Sequence, residues 1–387
     1  MGCAPSKRFS ASGARLEAGR SAVGYNRGLP MRDFAFIQIA PGRLLVGWGP
    51  FVHAPMRRSD RPAFYITDFF LSDPHPWRHP ESWQEMAAAE LAGLFENQGP
   101  PPVQWTRTNR DQFGALFASA RAGFDRGDFK KIVPVIFEAG RLGTRAQPWG
   151  YFLSRMAEVP PGMWVYGFSY QNHNVIGATP EVLFRSSARG YETMALAGTR
   201  SAERASELLV DPKELREHRL VVDDIVQRLS PFGNVEIGPL EVLHLPAIAH
   251  LLTRIRFEER AGDSMPFVDM IRRLHPTAAL GVSPRTEAGE RWLRDADRNV
   301  KRRTFGAPFG AEWPDHAGLA LVAIRNIYWH FDKIRVGSGA GLLVESAAER
   351  EFEELAQKRD QVKSLFGLIP GPRTSAPLPA VSGVRKQ

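Results

Sequence analysis

From Phe34 onward the chain alternates short apolar runs with glycine and proline. Phe34–Ala40, Arg43–Trp48 and residues 63–69 are rich in aromatic and branched side chains between such breaks, a pattern that predicts antiparallel strands. The period then changes. Trp83, Met86, Ala87, Leu91 and Leu94 recur at helical spacing, which predicts a helix over 81–97, ended by Pro100, Pro101 and Pro102. A second amphipathic helix is predicted over 109–126. Residues 131–137, Lys-Ile-Val-Pro-Val-Ile-Phe, read as a strand, at an edge or bulged because Pro134 has no ladder N–H. Further strands are predicted over 164–169, 175–178, 182–185 and 193–196, the last turning at Ala197-Gly198-Thr199. A helix follows over 213–229, and late strands over 319–327 and 333–336.

That last strand feeds the stretch 336–358, read as a Gly-Ser-Gly-Ala-Gly turn followed by a helix rich in carboxylates. Glycines without a Cβ let backbone N–H groups approach an anion closely. Glu351 and Glu354 share one helix face, and Glu214 and Glu217 repeat the spacing at the start of the 213–229 helix. Two such faces together suit one hard divalent cation bound through oxygen. Magnesium is the default, because it keeps waters and shares itself with an anionic substrate. Each Glu-x-x-Glu alone is equally a solvated helix face.

Three other residues carry candidate chemistry. Glu181, in Gly-Ala-Thr-Pro-Glu between two apolar runs, is either an exposed turn glutamate or a desolvated general acid. Lys131 opens an apolar strand, so it is a snorkelling strand-end lysine or a base. Arg325 lies in the run Leu-Val-Ala-Ile-Arg-Asn-Ile-Tyr, where a guanidinium wants a partner such as a substrate carboxylate. His275, in Leu-His-Pro-Thr, is a lone histidine with an ordinary structural reading beside any functional one.

Composition narrows the class. Of 387 residues, 43% are hydrophobic and 24% charged, which describes a soluble chain able to bury a large core. No apolar run reaches the ~18–20 residues of a membrane span. Cys3 is the single cysteine, which excludes a disulfide framework and fits a reducing, cytoplasmic setting. The net charge of +8 raises nucleic acid as a partner, yet the arginines are scattered and the one dense cluster, Lys301-Arg302-Arg303, has no recognition motif around it. No nucleic-acid partner is expected. Met1-Gly2-Cys3-Ala4-Pro5-Ser6 matches an N-acylation pattern, but residues 1–30 read as a flexible leader and no membrane attachment is expected. Residues 370–387 read as a disordered tail, and 31–369 as a single domain. The residues alone thus describe a soluble α/β-type protein, a candidate for magnesium, acting on a small polyanion.

Taken in order, these segments resemble the chorismate-utilising enzymes, which include isochorismate, salicylate and anthranilate synthases. The matching segments are Lys131-Ile-Val, Gly177-Ala-Thr-Pro-Glu181, Ala195-Leu-Ala-Gly-Thr-Arg200 and Lys213-Glu-Leu-Arg-Glu-His218. Leu274-His-Pro-Thr-Ala-Ala-Leu-Gly281, Phe305-Gly-Ala-Pro-Phe-Gly310, Val322-Ala-Ile-Arg325 and the 336–358 stretch complete the set, within residues 120–366. The resemblance implies an α+β domain of two large, mainly antiparallel sheets packed face to face and flanked by helices. It implies chorismate as substrate and Mg²⁺ as cofactor, in a monomer or weak dimer. Glu217 and Glu354 match direct metal ligands, and Glu214 and Glu351 match positions that hold metal-bound water. Arg325, Lys358 and the Gly339-Ala340-Gly341 backbone match the groups that receive the substrate carboxylates. Ala279, Leu280, Phe305 and Ile324 match the ring wall, and Gly198, Thr199 and His275 further substrate contacts. Lys131 matches the lysine that activates water for attack at C2, and Glu181 the acid that protonates the leaving C4 hydroxyl. Relatives that eliminate pyruvate tend to carry threonine at the position of Ala279. The resemblance therefore points to an isochorismate synthase, with a salicylate synthase or another chorismate-converting relative as the alternative. Pro134 departs from the usual family strand after the lysine.

Overall fold

The computed structural model describes residues 32–368, apart from 107–109, 144–146, 188–189, 247 and 261–264. The predicted leader, with its acylation pattern, and the predicted tail lie outside these residues.

Phe34–Ala40 and Arg43–Trp48 pair as a hairpin whose turn needs a left-handed residue, supplied by Gly42 at φ 72°. Along the first of these strands Phe34 and Phe36 face one side while Ala35 and Ile37 face the other, and all are buried. A strand buried on both faces belongs in the middle of a layered structure. This one lies in a nine-stranded sheet ordered Ser82–Ala87, Arg43–Trp48, Phe34–Ala40, Trp164–Tyr170, His173–Thr179, Asn326–His330, Lys333–Gly339, Val135–Leu142, Val103–Trp105. A second nine-stranded sheet runs Gly233–His244, Ile248–Glu259, Gly190–Ser201, Val182–Ser187, Gly318–Val322, Pro308–Glu312, Ala63–Ile66, Trp77–His79, Val52–Ala54.

Ala35, Ile37, Tyr166 and Val175 of the first sheet meet Phe64, Phe309 and Leu321 of the second. Helices cover the outer faces. Trp149 and Phe152 of the Trp149–Met156 helix, with Val362 of the Ala348–Leu365 helix, pack on Phe34, Phe36 and Trp329. Val221, Val222 and Ile225 of the Pro212–Leu229 helix and Met270 and Ile271 of the Phe267–Leu274 helix pack on Phe184, Ile255 and Phe257. The architecture is the expected α+β arrangement of two face-to-face antiparallel sheets with helices outside.

Five local expectations change. Residues 82–87 are a strand rather than helix, because the free edge of Arg43–Trp48 takes them as its neighbour; the helix begins only at Ala88. The predicted 131–137 strand breaks after Ile132: Pro134 cannot continue a ladder, so Lys131–Ile132 pairs with Val282–Ser283 while Val135–Leu142 joins the first large sheet between two neighbours. The predicted 319–327 strand is two strands in different sheets, parted at Arg325, which adopts φ 54°. Gly337-Ser338-Gly339 continue a strand instead of forming a turn, and Ala197-Gly198-Thr199 is a bulge within one long strand.

Candidate active site

The site lies where the chain passes between the sheets. His173–Thr179 belongs to the first sheet and Val182–Ser187 to the second, so the crossing falls at Pro180-Glu181. Gly318–Val322 and Asn326–His330 make the reverse crossing at Ala323-Ile324-Arg325. The two crossings bind each other: Val322 N–H donates to the Glu181 carbonyl (3.1 Å) and Ala178 N–H to the Arg325 carbonyl (3.2 Å). A turn at a sheet junction aims side chains into the gap the sheets leave, and Glu181 and Arg325 both line the pocket there. Leu196, Gly198, Thr199, Glu217, Ala279, Leu280, Phe305, Ile324, Gly339, Gly341 and Lys358 also line it, around about 80 Å³ of free space. A larger groove of about 520 Å³ beside Trp164 and Met194 holds none of the candidate residues.

Asp211 caps the Pro212–Leu229 helix by accepting from Lys213 N–H (2.9 Å) and Glu214 N–H (3.3 Å). The cap sets Glu214 and Glu217 near the helix start. Both Glu214 oxygens are engaged, one by Thr199 N–H (2.9 Å) and one by Arg200 (2.5 Å). The glutamates of the Ala348–Leu365 helix are engaged likewise: Lys213 Nζ donates to Glu351 (2.8 Å), and Lys358 pairs with Glu354 (2.6 Å) while donating to the Gly339 carbonyl (3.0 Å). Lys131 Nζ forms an ion pair with Glu217 Oε1 at 3.1 Å, without the geometry of a hydrogen bond. Each of the four carboxylates therefore rests on a cation of the protein.

Lys131 is fully buried. Glu181 is buried as well, and desolvation pushes its carboxyl up to about 7 despite the opposing pull of Lys131, Thr277, Arg325 and Lys358. Burial pulls the Arg325 guanidinium down to about 10, with Glu354 and Glu181 acting the other way. Arg325 donates to Gln361 (2.8 Å) and lies 3.4 Å from His250 Nε2.

His250 is a pocket residue that sequence reasoning missed. It stands opposite the Gly198 bulge, its Nδ1 3.1 Å from Thr199 Oγ1 and 3.3 Å from the Gly198 carbonyl. Arginine only donates, so Nε2 is the acceptor and Nδ1 carries the proton. Burial, then Arg325 and Lys358, hold the ring well below the usual histidine range, hence neutral. The available signal was a histidine interrupting the apolar run 248–252.

Two expected substrate contacts stand elsewhere. His275 Nε2 bonds the Phe69 carbonyl (2.7 Å) and its ring packs edge-on against Phe69, so it terminates a helix as a core residue outside the pocket lining. Ala340 turns its methyl into a core with Ile132 and Leu355, and its N–H already donates to the Pro134 carbonyl (3.3 Å). That leaves Gly339 and Gly341 of the three-residue backbone cradle. A Cβ at Gly341 would fall on the Glu217 carboxylate, so only glycine permits this approach. Arg302 of the basic cluster is buried over Phe69 and pairs with Asp297, which removes it from any basic surface patch.

Among the described residues, no three His, Cys, Asp or Glu side chains close on one point as a ready metal cage. The donor chemistry still fits a hard dication. All four groups are carboxylates, and burial first, then a neighbouring glutamate, raises both Glu214 and Glu351, so a dication among them would favour their charged form. The cage is unformed because each glutamate is drawn to its own lysine or arginine.

Residues 77–367 match the sequence model of the family described as "Chorismate binding enzyme". Anthranilate synthase component 1 of Aeropyrum pernix is 27% identical over 300 residues, 73% of this chain and 65% of that protein. The salicylate biosynthesis isochorismate synthase of Pseudomonas aeruginosa is 30% identical over 274 residues, 68% of this chain and 56% of that protein. These alignments span less than two thirds of the relatives' own lengths. The structure of the menaquinone-specific isochorismate synthase of Escherichia coli is similar with a TM-score of 0.72 at 18% identity, over 87% of this chain and 89% of that one, which is a likeness of fold.

Proposed function

We propose that this chain, which belongs to the chorismate binding enzyme family, is a magnesium-dependent isochorismate synthase. Water adds at C2 of chorismate, the ring double bond shifts, and the C4 hydroxyl leaves as water after receiving a proton, so the product is an isomer of the substrate. Lys131 takes the proton from the attacking water as the free amine, after its ammonium, paired with Glu217 at rest, has released its own proton to solvent. Glu181 supplies the proton to the departing oxygen, and its carboxyl near 7 keeps a large protonated fraction in neutral solution. Arg325 and Lys358, with the N–H groups at Gly339 and Gly341, receive carboxylates of the substrate. The neutral ring of His250 steadies the Arg325 guanidinium. Ala279, Leu280, Phe305 and Ile324 form the wall for the cyclohexadiene ring. Glu217 and Glu354, backed by Glu214 and Glu351, would hold the magnesium, which neutralises carboxylate charge on the bound substrate.

The observation that carries this reading is a fully buried lysine within electrostatic reach of Glu181, whose buried, raised carboxyl lines the pocket. The test is incubation with chorismate and Mg²⁺ followed by separation of products. Isochorismate is expected, and its loss in Lys131→Ala. Absence of isochorismate, or a Lys131→Ala enzyme as active as wild type, overturns the reading. Salicylate with pyruvate identifies the salicylate-synthase alternative, and anthranilate formed on adding ammonium points to the relatives of that name.

A further inference from the structure

We propose that Lys213 is a built-in counter-ion that holds the glutamate cluster in the metal-free enzyme and competes with the divalent cation for it. The inference rests on the magnesium reading above and adds a determinant of metal affinity.

Lys213 immediately precedes Glu214 on the capped helix, yet its ammonium crosses to the other carboxylate helix. There it lies 2.8 Å from Glu351 Oε1, and 3.8 Å from Glu214 Oε1 on its own helix. Both carboxylates are almost wholly buried, and the lysine stem is largely covered. It therefore bridges one member of each glutamate pair. Of the other cations around the cluster among the described residues, Arg200 is shared with Asp211 and the Thr199 carbonyl and Lys358 with the Gly339 carbonyl, Lys131 pairs with Glu217 alone, and the exposed Arg350 lies 3.8 Å from Glu214; none of them joins the two pairs as Lys213 does. Among the described residues, Lys213 Nζ has ion pairs only with Glu351 and Glu214.

A buried carboxylate cluster without compensating cations is strongly unfavourable, and the Lys213 ammonium supplies part of that compensation in the apo protein. A dication arriving among the same carboxylates then meets an ammonium within a few ångströms, and the two repel. Metal uptake is an exchange: Lys213 gives up Glu351 as the dication takes over the negative charge. This keeps the empty enzyme stable and makes loading dependent on free magnesium concentration, at the expense of intrinsic affinity.

The test compares full-length wild type and Lys213→Gln by calorimetric titration with MgCl₂ and by thermal unfolding with and without MgCl₂, in the absence of chorismate. The expected result is a lower apo Tm for Lys213→Gln, a larger magnesium-induced rise in Tm, and binding at least about tenfold tighter than wild type. The double variant Lys213→Gln/Glu351→Gln restores the cluster's net charge and removes the orphaned carboxylate, so it serves if the single variant does not fold. It is expected to bind magnesium within about threefold of wild type. Equal or weaker binding by folded Lys213→Gln, or a tenfold gain in the double variant, overturns the inference while leaving the metal site intact. No magnesium uptake by wild type overturns the metal reading and this inference with it.

Discussion

The Lys131 ammonium lies 3.1 Å from the Glu217 carboxylate, and the lysine has no solvent-exposed surface. The pair joins the short Lys131–Ile132 strand to the first carboxylate helix. A proposed base and a proposed metal ligand thus neutralise each other until ligands arrive. Gly341 packs against both side chains, so base, ligand and glycine cradle are one packed unit.

Removing the lysine tests that unit. Lys131→Ala is expected to lower isochorismate formation by at least about a hundredfold, the range for loss of a positioned acid–base group. It also strands Glu217 without its partner, so thermal unfolding should show a drop that MgCl₂ partly reverses. Unchanged turnover by product chromatography rules out the base role.

The raised Glu181 carboxyl gives a pH signature. As the acid it must be protonated, so kcat should fall as pH rises through about 7, and Glu181→Gln should abolish turnover. Stability follows the same sign. The folded value lies above the ordinary carboxyl value of 4.5, so the contribution is complete below about 4.5 and is lost as pH rises through 7. Thermal unfolding of Glu181→Gln between pH 5 and 9 should decline less steeply than that of wild type. Parallel curves refute the shift.

Gly341→Ala should separate fold from function. The new methyl falls on Glu217 Oε1 and close to Lys131 Cε, both movable side-chain atoms, and Gly341 is not at a positive φ. The protein should therefore fold, with Glu217 pushed aside, and lose about tenfold or more in kcat/KM. Wild-type activity in this variant means that the close approach is dispensable.

Arg325 is held by Gln361 and His250 on opposite sides of its guanidinium. Lysine cannot reproduce a fork held at two points, so Arg325→Lys should raise KM for chorismate by about tenfold to a hundredfold, with a smaller effect on kcat. His250→Ala should raise KM in the same direction by a smaller factor. A change confined to kcat in either variant contradicts a carboxylate-binding role for Arg325.

Much of this protein was legible in its sequence. The helices predicted over 109–126 and 213–229 follow from apolar spacing, and both Glu-x-x-Glu faces from the helical period, because these signals depend on neighbours a few residues apart. The ordered motifs carried the family. Tertiary structure decided what depended on distant partners. Residues 82–87 have helical spacing but complete a sheet edge. Arg325 sits in an apolar run that periodicity reads as one strand, and only the second sheet shows that the chain turns there. His275 and His250 look alike in sequence; Phe69 claims one, while the Gly198 bulge and Arg325 bring the other to the pocket. The sequence by itself determined which charged groups the protein owns. The packing of two sheets and two helices decided which of them are buried together, and desolvation and pairing across that packing set their chemistry.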